Sequence, residues 1–147
     1  MDLTIERLSH NDIEKFTALI KVFEDVFEMK NFTIPNKLHL QHLLEKEDFF
    51  VFVALLDGKV VGGLTSYILH QYYSAKPLVY IFDLAVTTKY QWKGIGKSLI
   101  ANNNDYCKSI GAEVVMVQAD VADDYAIRFY RSTGGKPEEV IHFDYQI

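Results

Sequence analysis

The chain has 147 residues, of which 49% are apolar and 24% charged, a globular composition that excludes disordered and collagen-like architectures. Its 15 basic and 20 acidic side chains give a net charge of −5, which argues against nucleic acid and membrane as partners and suits a cationic small molecule. The single cysteine excludes a disulfide framework. We therefore expect one domain over residues 1–147, located in the cytoplasm because the acidic N-terminus does not resemble a signal peptide.

Hydrophobic periodicity predicts a strand, two helices and two further strands in the first half of the chain. We expect these elements at residues 3–8, 13–29, 38–45, 49–56 and 59–69. Asp57-Gly58 lies between the last two strands and is typical of a tight hairpin turn. Gly62-Gly63 predicts a bulge or a close approach of two backbones, because glycine inside a strand offers no side chain to pack.

The second half alternates strands with helices. We expect strands at 78–86, 113–119 and 140–145, and helices at 94–110 and 123–132. A strand–helix–strand crossover places its two strands side by side and parallel, so 78–86 and 113–119 should pair in this way. The order β-α-α-β-β-β-α-β-α-β predicts an α/β fold with a mixed, largely antiparallel sheet flanked by helices.

The segment YQWKGIGK, residues 90–97, joins an apolar strand to a helix and contains two glycines. Glycines at such a junction let backbone N–H groups converge on an anion, and the helix dipole assists. The segment fits neither a Walker loop, which needs an earlier glycine, nor a dinucleotide fingerprint, which needs a third glycine where Leu99 stands. A plain strand-to-helix turn without a ligand is the alternative.

Together with its flanking elements, this segment resembles the signature of the GNAT superfamily of acyl-CoA-dependent N-acyltransferases, Q/R-x-x-G-x-G/A. The resemblance implies acetyl-CoA as cosubstrate, no metal, and a splayed central pair of parallel strands. The implied cofactor-binding residues are Leu84, Ala85 and Val86 at an open strand edge and the loop residues Gln91, Trp92, Lys93, Gly94, Ile95, Gly96 and Lys97. It also implies that Tyr130, in the segment AIRFY, is the general acid.

A narrower resemblance links three separate segments to the GNAT-type aminoglycoside 3-N-acetyltransferases. They are YIFDLAV at 80–86, VQADVADD at 117–124 and EEVIHFD at 138–144. The resemblance implies acetylation of the 3-amino group of a polycationic aminosugar. Dimers are common in this family, so a homodimer is a further expectation.

The chemistry assigns roles to these residues. Acetyl transfer from a thioester to an amine needs aligned reactants, an oxyanion donor, a proton for the leaving thiolate and removal of a proton from the amine. Tyr130 would supply the proton and the Val86 N–H would be the oxyanion donor. The carboxylates expected to bind the amine substrate are Asp83, Asp120, Asp123, Asp124, Glu138, Glu139 and Asp144.

Structural alternatives exist for several of these residues. Asp123 or Asp124 suits the N-cap of the following helix, and Glu138-Glu139 suits a solvated surface. Asp83 interrupts an apolar strand, and a buried carboxylate needs a partner. Cys107 fits a small buried residue of a helix better than a nucleophile.

Two other functions stay open at this point. The first is a GNAT enzyme that acetylates a polyamine, an amino acid or a peptide amine, which would share every cofactor residue. The second is an acyl-CoA-binding module without turnover, although such a module would not need a positioned acid such as Tyr130.

Overall fold

A computed structural model describes residues 2–147 and contains four α-helices and a five-stranded sheet among them. In chain order the elements are β1 (Leu3–Arg7), α1 (Ile13–Val26), α2 (Lys37–Glu45), β2 (Phe49–Leu56), β3 (Lys59–Leu69), β4 (Leu78–Val86), α3 (Ile95–Ser109), β5 (Val114–Val117) and α4 (Asp124–Ser132). The strands lie in the sheet in sequence order, antiparallel except for the parallel pair β4–β5. This arrangement confirms the predicted fold class. No helix among residues 2–147 is long and apolar enough to cross a bilayer.

Strand β2 lies in the middle of the core, and all its residues are buried. Its even-numbered residues, such as Phe50 and Phe52, join an apolar cluster with α3 on one face of the sheet. Its odd-numbered residues, such as Val51 and Val53, join a second cluster with α1 and α2 on the other face. Helices therefore cover both faces of the sheet, which explains why this strand is apolar at every position.

The glycines of the β2–β3 hairpin have the predicted roles. Asp57 and Gly58 both have positive φ, 49° and 83°, as a tight hairpin turn requires. A Cβ on Gly63 would lie 2.5 Å from the carbonyl oxygen of Phe52, and one on Gly62 would lie 2.8 Å from that of Ala85. The predicted close approach of backbones is thus confirmed on both sides of β3.

A bulge in β4 changes which face its residues occupy. Asp83 is opposite Thr65, but Ile81 is opposite Ser66, so Phe82 is an extra residue in β4. Ile81 packs in the α3 cluster, whereas Phe82 and Asp83 both line a cavity beside α1 and α2. The bulge therefore turns the Asp83 carboxylate away from the α3 face, where regular alternation would have placed it.

Helix α1, strand β5 and one further predicted strand differ from the structure by more than one residue at an end. Helix α1 ends at Val26 rather than at residue 29, because Glu28 adopts a left-handed φ of 51°. Strand β5 is shorter than predicted. The predicted strand at 140–145 is wrong, since this segment has no regular structure and lies exposed. Its alternating pattern indicates an amphipathic strand, but alternation does not specify a pairing partner, and the segment finds none within residues 2–147.

Candidate active site

The parallel pair β4–β5 opens toward the carboxyl ends of its strands. Pairing runs from Leu78 with Val114 to Ile81 with Val117, and β4 continues alone to Val86. The Thr87 N–H donates to the Val61 carbonyl at 2.7 Å, so the N–H and C=O of the preceding residue, Val86, point away from β3. The backbone of Val86 therefore lies at the open edge of β4.

The side chain of Gln91 forms a hydrogen bond with the backbone at this open edge. Its side-chain Nε2 donates to the Val86 carbonyl oxygen at 2.9 Å. This bond satisfies the Val86 carbonyl and ties the loop after β4 to the strand, while the Val86 N–H stays on the open side. Gln91, the first residue of the signature, thus holds the loop in position against the end of β4.

The loop after Gln91 presents backbone donors at the start of α3. Trp92 and Gly94 have left-handed φ values of 67° and 83°. Gly94 is the N-cap of α3, and none of the side chains among residues 2–147 caps this end. The first intrahelical bond is donated by the Ser98 N–H to the Gly94 carbonyl, so the N–H groups of Ile95, Gly96 and Lys97 have no partner within the helix.

These donors suit a diphosphate. Uncapped N–H groups and the positive end of the helix dipole favour an anion, and three lysines on the same segment add positive charge. The lysines are Lys89, Lys93 and Lys97. The ammonium groups of Lys89 and Lys93 lie 4.9 and 5.9 Å from the centroid of the Tyr90 ring, which holds both near the loop. The residues present therefore fit the pyrophosphate of coenzyme A.

Helix α4 packs directly on this cradle. A Cβ on Gly96 would lie only 2.9 Å from Cζ of Phe129, so glycine allows α4 to approach the first turn of α3. The rings of Trp92 and Tyr125 meet edge to face, 4.9 Å apart. Both contacts fix α4, and with it Tyr130, relative to the loop between β4 and α3.

Tyr130 lies half-buried against the apolar cluster on the α3 face. Burial, and then the charges of Asp123 and Asp83 and the neighbouring Tyr80, raise the pKa of its phenol to about 12. Tyr130 therefore carries its proton throughout the neutral range. The charges of Asp123 and Asp83 thus lie close enough to Tyr130 to raise the pKa of its phenol.

Asp83 projects into a cavity of about 400 Å³ between the sheet and the two N-terminal helices. Burial raises the pKa of the Asp83 carboxyl above its ordinary value. The cavity walls are mainly apolar and aromatic, and they include Phe23, Phe27, Phe32, Phe49, Tyr67 and Phe82. A larger, more open hollow outside α1 contains none of the predicted site residues. Asp83 is the acidic residue in the lining of this cavity, so an amine that enters the cavity would contact its carboxylate.

Sequence reasoning missed this cavity wall. The rings of Phe49 and Tyr67 are 4.9 Å apart, and those of Tyr67 and Phe82 are 5.8 Å apart, although the three come from different strands. The aromatic residues of 16–49 were the only available signal, and their helical spacing indicated core packing. Their role as a wall depends on the β4 bulge, which the sequence did not reveal.

The remaining predicted acids separate into two groups. Asp123 caps α4 by accepting the Ala126 N–H at 3.0 Å, and Asp120 accepts the Ala122 N–H at 3.1 Å, so both also shape the β5–α4 loop. Asp124 is exposed in the first turn of α4. Glu138, Glu139 and Asp144 lie exposed in the C-terminal segment, and no hydrogen bond or ion pair between residues 2 and 147 joins them to Asp83.

Cys107 is buried in α3, and burial raises the pKa of its thiol to about 11. A thiol in this state is a poor nucleophile at neutral pH, which confirms the prediction of a small core residue. No group of three or more metal-ligating side chains occurs in the part of the chain from residue 2 onward.

Residues 16–134 match the model of the acetyltransferase (GNAT) family. The chain belongs to this family. The match covers most of the chain, including the open edge of β4, the loop, α3 and Tyr130. It confirms the resemblance that the loop signature indicated, and members of the family use acetyl-CoA. Among curated proteins no sequence matches the chain significantly.

Solved structures give a narrower likeness. The aminoglycoside acetyltransferase meta-AAC0020 from an uncultured soil metagenomic sample, in complex with sisomicin, is 58% identical, with a TM-score of 0.97 over 99% of this GNAT chain and 96% of its own. The aminoglycoside acetyltransferase HMB0005, also from an uncultured soil metagenomic sample, is 34% identical, with a TM-score of 0.94 over 100% and 99% of the two chains. These findings confirm the resemblance to aminoglycoside acetyltransferases.

A more distant structure shares the fold alone. Aminoglycoside N-acetyltransferase AAC(6')-Iy in complex with CoA is 18% identical, with a TM-score of 0.81 over 99% of this chain and 95% of its own.

Proposed function

We propose that the chain transfers the acetyl group of acetyl-CoA to the 3-amino group of an aminoglycoside. The observation that carries this proposal is the likeness, over nearly the whole chain, to an enzyme that was solved with sisomicin. The carboxylate of Asp83, in an aromatic cavity that lies against the open strand β4, supports it independently. The choice of the 3-amino group rests on the three sequence segments that resemble the 3-N-acetyltransferases.

Acetyl-CoA supplies an activated acetyl thioester. The N–H groups of Ile95, Gly96 and Lys97 would hold its pyrophosphate, with Lys93 and Lys97 as counter-charges. The open edge of Leu84, Ala85 and Val86 would pair with the pantetheine arm. Trp92, exposed beside Tyr125, is free to cover the adenosine side of the loop.

The chain's own groups then act on the reacting atoms. Asp83 would pair with the incoming ammonium group and, directly or through water, take the proton that the amine loses before it attacks. The Val86 N–H would donate to the carbonyl oxygen as that oxygen gains negative charge. Tyr130 would donate its proton to the sulfur as the carbon–sulfur bond breaks.

The electrostatics of Tyr130 fit this role. A phenol with a pKa of about 12 stays protonated until negative charge develops beside it. The same pKa makes tyrosinate costly, so Tyr130 must be reprotonated quickly, and the acceptor nitrogen is a source of that proton. Asp120, Asp123 and Asp124 would attract the remaining ammonium groups at the carboxyl end of β5.

The proposal is tested first by thiol release from acetyl-CoA with gentamicin, sisomicin, spermidine and a lysine peptide as acceptors. We expect release with the aminoglycosides, and NMR of the product should show acetylation at the 3-amino group. Release with spermidine or the peptide alone would contradict the aminoglycoside assignment. Acetylation of another amine of the drug would contradict only the position.

Tyr130→Phe tests the mechanism. The substitution removes one hydroxyl, so we expect kcat to fall by about 10²- to 10⁴-fold while the Kd for coenzyme A stays unchanged. Tyr125→Phe is the matched control, because it removes a hydroxyl from the same helix. Unchanged turnover in Tyr130→Phe would remove Tyr130 from the mechanism.

A further inference from the structure

The cavity beside Asp83 has walls that suit an apolar molecule better than a sugar. Part of the wall belongs to the core, since Phe16, Leu40 and Phe49 are buried side chains of the lining. The lining contains few polar side chains, which are His39, Thr65, Tyr67 and Asp83. A ligand inside the cavity would therefore contact mostly rings and alkyl groups.

Three large apolar side chains of the same lining stay exposed to solvent. Phe27, Met29 and Phe82 are 44%, 39% and 58% exposed. Phe27 stacks on the buried ring of Phe23, with ring centroids 5.5 Å apart, so the apolar surface is continuous from the opening of the cavity to the core. Exposed apolar surface around a cavity that contains a polar group is typical of a ligand site.

The Asp83 carboxylate has no partner within the protein that would offset its burial. No ion pair among residues 2–147 includes it. Burial raises the pKa of the carboxyl, and no hydrogen-bond donor or cation acts in the opposite direction. A partly buried carboxylate without a cation is costly, so an ammonium group of a ligand would compensate that cost.

The body attached to this ammonium group must also suit the walls. An aminosugar carries hydroxyl or ammonium groups around each ring, and these groups would lose water inside the cavity without gaining partners. An aromatic ring has no such groups to satisfy. The rings of Tyr67 and Phe82 lie 5.8 Å apart and edge to face, so they can pack against a further ring and also attract a cation.

We infer that this cavity takes a second class of acceptor, a primary arylalkylamine whose ammonium group binds the Asp83 carboxylate and whose ring lies among the aromatic walls. A volume of about 400 Å³ has room for one ring on a short alkyl arm. The inference rests on the acetyl transfer of the proposed function. An aminoglycoside would present one amine to Asp83 and keep its other rings outside the cavity.

The transfer to such an amine uses the same groups and balances in protons. The ammonium group loses one proton to Asp83 and from there to water, and the free nitrogen then forms a bond to the acetyl carbon. The carbon–sulfur bond breaks, Tyr130 gives its proton to the departing sulfur, and Tyr130 regains a proton from the acetylated nitrogen. The products are an N-arylalkyl acetamide, coenzyme A and one proton.

Thiol release from acetyl-CoA with three acceptors tests this activity. Phenethylamine is the probe, and ethanolamine is its matched control because a hydroxyl replaces the ring on the same two-carbon arm. We expect kcat/KM to be about 10- to 150-fold higher for phenethylamine, the range that corresponds to burial of one such ring. Equal values for the two amines would overturn the inference.

Sisomicin, the third acceptor, separates this inference from the proposed function. Release with sisomicin but not with phenethylamine would overturn the inference and leave the proposed function intact. Release with phenethylamine but not with sisomicin would support the inference and contradict the aminoglycoside assignment.

Variants at the opening of the cavity locate the ring. Phe27→Ser and Phe82→Thr alter exposed side chains, so the fold should persist, and circular dichroism checks this. In each variant we expect the ratio of kcat/KM for phenethylamine to that for sisomicin to fall about tenfold, as when roughly half of the burial of the ring is lost. Tyr72→Ser, which removes an exposed ring outside the lining, is the matched control and should leave the ratio unchanged. An unchanged ratio in both cavity variants would overturn the inference.

Saturation-transfer NMR measures binding without acetyl-CoA, so its outcome does not depend on turnover. We expect transfer from the protein to the ring protons of phenethylamine, and much weaker transfer to phenethyl alcohol, which lacks the ammonium group. Asp83→Asn should weaken the signal of phenethylamine. No transfer to phenethylamine, or equal transfer to the alcohol, would overturn the inference.

Discussion

At the scale of single residues, Gly96 and Asp83 show how the choice of residue type affects both stability and the proposed activity. Gly96 matches the signature of an anion-binding loop, yet its nearest neighbour is the ring of Phe129, at 2.9 Å from an added Cβ. The absent side chain thus also serves the packing of α4. Asp83, in turn, is a half-buried carboxylate, although a carboxylate is more stable in water.

Gly96→Ala should therefore destabilise the protein, although alanine normally favours a helix by about 1 kcal/mol over glycine. The new methyl group pushes Phe129 outward, and overpacking of this kind costs about 1–3 kcal/mol. Denaturant unfolding measures the change. Phe129→Leu added to Gly96→Ala should recover part of the loss, and a single Gly96→Ala variant as stable as wild type would contradict the packing role.

Asp83→Asn should stabilise the protein while it lowers activity. Burial favours the protonated carboxyl, so its folded pKa is raised and the charged form costs folding free energy above that pKa. The gain from asparagine should be full above the raised pKa and vanish as pH falls below the ordinary carboxyl value of about 3.9. Urea unfolding at several pH values measures this difference.

The same variant should lose about 10- to 150-fold in kcat/KM for the amine, the effect of losing a hydrogen bond to a charged group. A pH-independent gain in stability would contradict the buried-charge explanation. Unchanged activity would instead remove Asp83 from the acceptor site.

At the scale of elements, Asp123 caps a helix and also carries a charge near Tyr130, and two different substitutions can separate these roles. It caps α4 through the Ala126 N–H, and its charge lies near Tyr130. Asp123→Ser keeps a cap and removes the charge, whereas Asp123→Ala removes both, at a cost of about 0.5–2 kcal/mol. We expect thermal unfolding to show a loss only in Asp123→Ala. We expect KM for a polycationic acceptor to rise in both variants. An unchanged KM in Asp123→Ser would leave capping as the role of Asp123.

The helices and strands also show which features of the fold the sequence pattern predicts. Strands β2, β3 and β4 have the predicted bounds because local turn chemistry, such as Asp57-Gly58, and continuous apolar runs determine them. The Phe82 bulge and the aromatic cavity were not predicted, since they depend on register against β3 and on the packing of α1 and α2. The strand predicted at 140–145 was wrong for a related reason, because alternation alone does not specify a pairing partner and none is present among residues 2–147.

At the scale of the whole molecule, the family could be predicted because the loop signature and the segment around Tyr130 lie in short, contiguous stretches of sequence. The acids predicted to bind the acceptor are instead spread over the chain, and their roles stay predictions. Acids from β4, from the β5–α4 loop and from the C-terminal segment contribute to a net charge of −5. The long-range field of these groups, rather than one ion pair, should attract a polycation.

This field predicts that salt weakens acceptor binding far more than it affects turnover. Each exposed pair contributes about 0.2–1 kcal/mol, so the loss of three contacts corresponds to a rise in KM of about 3- to 150-fold. Between about 0.01 and 1 M salt the screening length falls from about 30 to 3 Å, which suppresses contacts between exposed charges. Initial rates with sisomicin across this range measure KM and kcat separately. A monoamine acceptor is the control, because it lacks the additional ammonium groups and should show a small change. A KM for sisomicin that does not respond to salt would mean that shape and the buried Asp83, rather than the acidic surface, select the substrate.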